Sequence, residues 1–249
     1  MRHVLAVVLG LAGLLLGGSS RLAGLEADLS HHLIAITTAF SGSDVLLFGA
    51  IDQPGSDVVV VVRGPLEDQE VQRRSRVGVL WLTTADMRFR NVPGYYAVAA
   101  SRPLDEIAGP GVLQRHEIGV EQVRFRPAAG QSTDPGEIAS FRAALIRNKQ
   151  RQQLFGREVG DVSFLGRALF RTRLAFPANV PPGSYQVEVF QLRNGSIISA
   201  QSSPLGISKI GLEAELFDFA HRHAALYGLA AIALAVAAGW SANVMFGRR

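Results

Sequence analysis

The feature that most limits the fold of this 249-residue chain is an uncharged apolar run near its C-terminus. The run covers residues 224–246 and is followed by Gly247, Arg248 and Arg249. About 20 apolar residues are enough for an α-helix to cross the hydrocarbon core of a bilayer. The sequence therefore predicts a transmembrane helix at residues 224–246, with the membrane lipid bilayer as its partner.

The charges on either side of this run indicate its orientation. Arg248 and Arg249 follow the run directly, whereas the preceding segment carries Glu213, Glu215 and Asp218. Because Lys and Arg favour the cytoplasmic side of a membrane helix, residues 247–249 are predicted to form a cytoplasmic tail. Residues 209–223 read as a juxtamembrane helix, and the polar body of the chain is predicted to lie on the opposite side of the membrane.

The N-terminus has the order of a secretory signal. Met1-Arg2-His3 is positively charged, Val4–Leu16 is apolar, and small residues follow at 17–20. Residues 1–27 are predicted to be a signal peptide, cleaved after Ala23 or Ala27, or else a retained signal anchor. Both alternatives export the segment that follows.

The exported segment, residues 28–208, is predicted to be mainly β. Val58–Val62 is an unbroken run of β-branched residues, which indicates a strand buried on both faces. Asn194-Gly195 is a strong hairpin signal because it supplies the positive φ angles of a tight turn. Many short strands with regular turn signals favour a β-sandwich, and we expect an Ig-like one. Further strands are predicted at 33–38, 45–51, 71–77, 95–99, 169–176, 185–192 and from 197.

One helix, at about 134–153, interrupts the strands. Asp134 is the predicted N-cap, Pro135 the first helical residue and Glu137 the partner in a capping box. The opposite helix face is basic, which we interpret as a solvated face, with contact to an anion or acidic lipid as the alternative. Its basic residues are Arg142, Arg147, Lys149 and Arg151. One sandwich with this helix inserted, or two small sandwiches, both fit the sequence.

The predicted membrane helix carries a stripe of small residues. Ala231, Ala235 and Gly239 recur every four residues and so share one helix face. Small residues let helices approach closely in lipid, so this stripe is a candidate helix-packing face. The alternative is an anchor that is simply rich in alanine.

The sequence contains few features that indicate a catalytic, cofactor or metal site. The chain has no cysteine, which excludes disulfides and thiolate metal sites, and its net charge of +4 is scattered, which argues against nucleic-acid binding. Its sequence contains no nucleophile elbow, P-loop or dinucleotide fingerprint. We therefore predict no catalytic, cofactor or metal site. The weak metal candidates are His31-His32 and the carboxylates Asp44, Asp52 and Asp57, for which turn capping is favoured.

Several segments together resemble a known family. They are Ala27–Thr38, Asp44–Ala50, Val58–Pro65, Tyr95–Val98, Ser101–Pro103, Phe170–Tyr185 and Ala225–Leu229. In these segments the chain resembles a family of alphaproteobacterial transmembrane proteins of unknown function. The resemblance implies a bacterial inner membrane and brings no site residues. It also implies a loose association with sulfite-exporter-type permeases, which would make this chain an accessory subunit.

The sequence thus favours a single-pass inner-membrane protein whose periplasmic domain binds other proteins, as an accessory to a transporter or envelope complex. A membrane-tethered periplasmic enzyme of unknown reaction is the alternative, and a passive structural protein is a third reading. The first surface candidates are the segment from Asp28 to Phe48 and the turn Arg63-Gly64-Pro65, because polar turns at strand ends often carry function.

Overall fold

A computed structural model describes residues 24–77 and 79–210, together with residues 228, 232, 233, 235–237, 239 and 240. The described residues are mainly β, as predicted. Their strands are β1 (Glu26–Leu29), β2 (Leu33–Ile36), β3 (Gly42–Ala50), β4 (Asp57–Arg63), β5 (Leu66–Val77), β6 (Leu80–Pro93), β7 (Tyr96–Ala100), β8 (Arg126–Pro127), β9 (Gly160–Asp161), β10 (Ser163–Leu165), β11 (Leu169–Pro177), β12 (Gly183–Arg193) and β13 (Ser196–Lys209). The helices are α1 (Leu104–Ile107), α2 (Pro110–Arg115) and α3 (Pro135–Arg151), with a 3₁₀ turn at Val120–Gln122.

The described strands form three sheets. The first has the order β1-β3-β11-β10 and the second the order β2-β13-β12-β4-β7-β9. The third is a small sheet with the order β5-β6-β8. The pairs β2–β13 and β7–β9 are parallel, and the other pairs are antiparallel.

The second sheet lies between two hydrophobic cores. Val58, Val60 and Val62 of β4 belong to the core shared with the first sheet, which includes Leu47 and Phe170. The two sheets therefore pack face to face as a β-sandwich. Each of the five valines 58–62 has 0% of its surface exposed, so the predicted two-sided burial is confirmed.

The insertions after β4 and β7 cover the other face of the second sheet. Val59 and Val61 pack there in a core that also holds Met87 and Phe89 of β6 and Phe141 of α3. The strand thus keeps water away from both faces because two different parts of the chain cover it. The structure has one sandwich with an insert on its outer face.

The chain enters and leaves the sandwich at opposite ends. Glu26 of β1 pairs with Ala50, at one end of the first sheet, which we call the upper end. Lys209, the last residue of β13, pairs with Ile36 at the other end, which we call the lower end. The lower end also carries the connection from Pro177 to Gly183 that joins the two sheets.

The predicted helix is present as α3, and its cap is confirmed in part. Asp134 accepts a hydrogen bond from the Glu137 amide at 2.9 Å, and Pro135 is the first helical residue. The Asp134 amide donates to Ser132 Oγ at 3.3 Å, so Ser132 takes the place expected for the Glu137 side chain in the capping box. The helices α1 and α2 were not predicted, because segments of four and six residues are too short to show helical periodicity.

The hairpin predicted at Asn194-Gly195 is confirmed. It joins β12 to β13, and the φ angles of Asn194 and Gly195 are +51° and +78°, as the tight turn requires.

The predicted transmembrane helix at 224–246 lies largely outside the described residues. Of the predicted signal peptide, residues 1–23 lie outside them, and Glu26 and Ala27 form part of β1. Of the predicted juxtamembrane helix, Lys209 ends β13, Ile210 is not helical, and residues 211–223 lie outside the described residues. The described residues of the 224–246 segment are helical. Among the residues that the structure describes, no helix is both long enough and apolar enough to cross a bilayer.

An ion pair closes the upper end of the second sheet. Asp57 at the start of β4 accepts hydrogen bonds from Arg102 Nη2 at 2.6 Å and from Ser101 Oγ at 3.0 Å. The bond from Arg102 is the main reason that the pKa of Asp57 lies below its usual value, although burial opposes the shift. The pair ties β4 to the segment between β7 and α1.

We expect Asp57→Asn to lower the free energy of unfolding at pH 7 by about 1 kcal/mol, since Arg102 is half exposed and solvent screens the pair. The folded-state pKa is the lower one, so the contribution is fully present above the ordinary Asp pKa of about 3.9 and is lost as the pH falls through the pKa of Asp57. Thermal unfolding of both proteins from pH 7 to pH 2.5 would show their melting temperatures converging in acid. Asp52→Asn, at an exposed position, is the control, and a pH-independent difference for Asp57→Asn would contradict the assignment.

Candidate interaction surface

The outer face of the first sheet is a large sheet surface that the described part of the chain leaves uncovered. Along β11, Phe170, Thr172 and Leu174 are buried, whereas Leu169 and Arg171 are exposed. The same alternation runs through β1 and β3, so every second side chain of these strands points to solvent. We call this outward surface of β1, β3, β11 and β10 the open face.

The open face is divided into columns of different chemistry. The column on β1 is acidic, that on β3 is largely apolar, and that on β11 is basic. Their outward residues are Glu26 and Asp28 on β1, Asp44, Leu46, Phe48 and Ala50 on β3, and Leu169, Arg171, Arg173 and Ala175 on β11. Asp28 pairs with Phe48, and Phe48 pairs with Arg171, so these three side chains form one row across the sheet.

An apolar groove runs along this face. It has a volume of about 670 Å³, and it is lined by Leu46, Phe48, Leu165 and Leu169, with Glu26 and Arg171 among its polar residues. Leu46, Phe48, Leu165 and Leu169 are all exposed. Contiguous exposed apolar surface bordered by charge is the usual sign of a binding surface.

The basic side chains of the open face are not paired within the described residues. Within residues 24–77 and 79–210, no ion pair involves Arg171 or Arg173. Asp28 is 3.0 Å from His32 Nε2, a bond that is charged on both sides only when the histidine is protonated. The basic column therefore has charge available for a partner.

A second uncovered surface is the distal half of the β5–β6 hairpin. The cross-strand pair Val71–Met87 is buried in the second core, and beyond Arg73 and Ala85 the ribbon leaves it. We call residues 74–77 and 79–84 the arm. Val79 is 84% exposed and Leu80 is 62% exposed, and the arm sequence contains two arginines and no acid.

The base of the arm is held firmly. The pairing shifts register between Arg73 and Arg74, and such a bulge changes the direction of a ribbon. The Arg73 guanidinium lies 4.5 Å from the centre of the Phe141 ring and donates to Ser140 Oγ at 3.1 Å. Contacts with α3 thus fix the direction of the arm. About four residues per strand, roughly 13 Å, extend beyond Arg73.

The turn Arg63-Gly64-Pro65, a surface candidate from the sequence, is part of the internal framework. Arg63 forms an ion pair with Glu188 and donates to the His116 carbonyl at 2.7 Å. The Gly64 amide donates to the Tyr95 carbonyl at 2.8 Å. These bonds join the sandwich to its insert at the lower end.

The neighbouring loop is held by a buried tyrosine. The Tyr96 hydroxyl donates to the Glu117 carbonyl at 2.6 Å and accepts from the Gly119 amide at 2.9 Å. Burial raises the pKa of Tyr96 to about 12, so its hydroxyl keeps its proton at neutral pH.

The interpretation of the basic face of α3 as solvated is wrong in part. Lys149 is buried, and desolvation lowers the pKa of its ammonium group. Arg142 donates to the Val123 carbonyl at 3.0 Å, and its guanidinium lies 5.5 Å from the centre of the Phe125 ring. The stems of these long side chains pack against the insert, which a helical projection of the sequence does not show.

The other sequence candidates do not come together. Asp44 lies at the lower end, and Asp57 at the upper end pairs with Arg102. Among the described side chains, no group of three or more His, Asp and Glu residues could hold a metal ion. Of the small-residue stripe, Ala235 and Gly239 are helical and exposed, and Ala231 lies outside the described residues. The packing face stays a prediction.

Comparison with known proteins identifies the family. The family model Alph_Pro_TM, described as "Putative transmembrane protein", matches residues 24–248. The chain belongs to this family, and the resemblance seen in the sequence is confirmed. The description places the family in the membrane without stating an activity. No curated protein and no solved structure matches the chain.

Two phenylalanines on adjoining strands test whether the open face is separate from the core. We expect Phe48→Ala to lower the free energy of unfolding by less than about 1 kcal/mol, because the side chain is already 46% exposed. Phe170→Ala should lower it by about 3–5 kcal/mol, because Phe170 is buried between the sheets. Denaturant unfolding of the purified protein measures both. Equal losses would mean that Phe48 belongs to the core.

Proposed function

We propose that this protein is a single-pass inner-membrane protein whose periplasmic domain binds another envelope protein, as an accessory to a transporter or envelope complex. The observation that carries the proposal is the arm. It extends past the core and presents Val79 and Leu80 to solvent beside two arginines. An exposed two-stranded ribbon with apolar side chains promotes association with other chains. Proteins retain such a ribbon where a partner covers it.

The family and the chain ends support the membrane placement. The family is described as transmembrane, and residues 224–246 form an uncharged apolar run followed by two arginines. The sandwich releases the chain at its lower end, after Lys209. The lower end would then face the bilayer, with the C-terminal tail in the cytoplasm.

The position of β1 favours one of the two signal cleavage sites. Ala27 is buried, its amide donates to Gln201 Oε1 at 2.8 Å, and its carbonyl accepts from Gln201 Nε2 at 2.8 Å. Cleavage after Ala27 would remove these bonds and half of β1. Cleavage after Ala23 leaves the strand whole, so Gly24 is the favoured first residue of the exported form.

We further infer that the sandwich is Ig-like. The orders β1-β3-β11-β10 and β13-β12-β4-β7 correspond to strands A-B-E-D and G-F-C-C′ of that fold. Tyr185, near the start of β12, donates its hydroxyl to the Pro181 carbonyl at 2.6 Å, as does the tyrosine at the corner between strands E and F of Ig domains. The disulfide of antibody domains has no counterpart, because the chain lacks cysteine.

The chemistry of the arm indicates its partner. Apolar side chains combined with arginine are enriched at protein interfaces, and arginine pairs well with carboxylates. The partner surface should therefore be apolar and acidic. A sulfite-exporter-type permease is the first candidate, on the strength of the family resemblance alone.

Site-specific photo-crosslinking in the native membrane tests the proposal. We expect a photoreactive phenylalanine in place of Leu80 to give an adduct with one dominant envelope protein, because this side chain would lie at the interface. The same group in place of Val159, which is 44% exposed on the body of the domain, is the control. Mass spectrometry identifies the adduct. An arm that labels no more protein than the control position would contradict the proposal.

A further inference from the structure

We propose that the open face binds the open face of a second copy of this chain, forming a parallel two-fold dimer. The carrying observation is the order of the columns: acidic on β1, apolar on β3 and basic on β11. The row of Asp28, Phe48 and Arg171 on this surface is complementary to itself. The surface lies on the opposite side of the second sheet from the insert that carries the arm. The inference shares the membrane placement of the proposed function and does not depend on the partner of the arm.

Symmetry specifies how two open faces meet. In a two-fold dimer the same patch is used by both copies, so if residue i contacts residue j, then j contacts i. An axis that runs along β3, between the two faces, exchanges left and right and places the β1 column of each copy over the β11 column of the other. In the row of Phe48, acid then meets base on both sides of the axis.

The strand register brings individual side chains together. Rotation about an axis along the strands keeps each row at its own height. Asp28 of one copy therefore faces Arg171 of the second copy, because both pair with Phe48 in the same row. The contact occurs twice, and Phe48 packs on Phe48 of the second copy at the axis. Aligned sheets pack in this way at about −30°, which keeps central rows close to register.

The basic side chains of the open face are suited to pairing across the dimer. Arg171 and Arg173 have no ion-pair partner among the described residues. Charged groups that are complementary across an interface set its register and exclude wrong partners. Antiparallel stacking of the faces would bring different rows together and lose the match between Asp28 and Arg171.

The same axis is compatible with both chains being anchored in one membrane. An axis parallel to the strands leaves both lower ends on the same side, so both chains leave the dimer in the same direction after Lys209. Two single-pass chains in one bilayer require this arrangement. The other face-to-face alternative, an axis across the strands, would direct the two C-termini to opposite sides.

The size of the face predicts a weak dimer in solution. The strands β3 and β11 have nine residues each and are about 30 Å long, whereas β1 and β10 have only four and three residues. With a spacing of about 4.8 Å, the four strands give a flat area of roughly 400 Å² per copy. The total of roughly 800 Å² is below the range of stable specific interfaces and is the size of a weak one. Tethering two copies to one membrane raises their effective concentration, so the dimer should form mainly in the membrane.

A single engineered cysteine tests the geometry, because the chain has none of its own. In native membranes, a bis-maleimide that spans about 8 Å should link Phe48→Cys into a band at twice the monomer mass, because packed sheets lie about 10 Å apart and the two side chains face each other at the axis. Val159→Cys is the control, with an exposure of 44% against 46% for Phe48. We expect at least a tenfold difference in the linked fraction. Equal linking at both positions, or none at Phe48, would overturn the proposal.

Exchanging the charges of Asp28 and Arg171 then tests the register of the two open faces. In the Phe48→Cys background, Arg171→Asp should reduce the linked fraction at least fivefold, because Asp28 would face a carboxylate. Adding Asp28→Arg should restore it, since the pair is reformed with its signs exchanged. Thermal unfolding of each variant checks folding, and a folded double variant that stays unlinked contradicts the register.

The outcomes separate this inference from the proposed function. A Phe48→Cys adduct with a different protein overturns the dimer and assigns the open face to that protein. A homodimeric adduct at residue 48 with no partner at residue 80 supports the dimer and overturns the role of the arm.

Discussion

The structure depends on the burial of β4 on both of its faces. Five consecutive valines cannot be shielded by one sheet alone, because their side chains alternate between the two sides. Val58, Val60 and Val62 require the first sheet, and Val59 and Val61 require the insert. Full burial of each valine contributes about 1.5–2 kcal/mol, so loss of either cover would remove several kcal/mol. The sandwich and its insert therefore form one cooperative structure.

The burial of β4 on both faces determines which surfaces of the structure stay exposed. The insert covers the side of the second sheet that would otherwise face water, and it presents the arm as an extension of its own hairpin. The first sheet, on the other side, has an uncovered outer face with a self-complementary charge pattern. Because the two surfaces lie on opposite sides of the second sheet, a second copy and a different partner could be bound together. The proposed accessory role would use two such independent contacts.

Local signals made much of the fold predictable. The valine run, the Asn194-Gly195 turn and the Asp134 cap each depend on a few neighbouring residues. The insert was less predictable, because Lys149 and Arg142 are polar in the sequence and packed in the structure. The segment from Asp28 to Phe48 contains Asp28, Leu46 and Phe48, which belong to two columns of the open face. The third column could not be found, since it requires the pairing of β11 with β3, more than 100 residues apart.

Hydrogen–deuterium exchange of the full-length protein in detergent tests the account most directly. If β4 is enclosed by both layers, the amides of residues 58–62 should exchange only on global unfolding and be among the slowest in the domain. The arm amides at residues 74–77 and 79–84 should exchange orders of magnitude faster, since they lie outside the core. Fast exchange in β4, with the first sheet still protected, would show that the insert does not cover the sandwich, and would contradict the account.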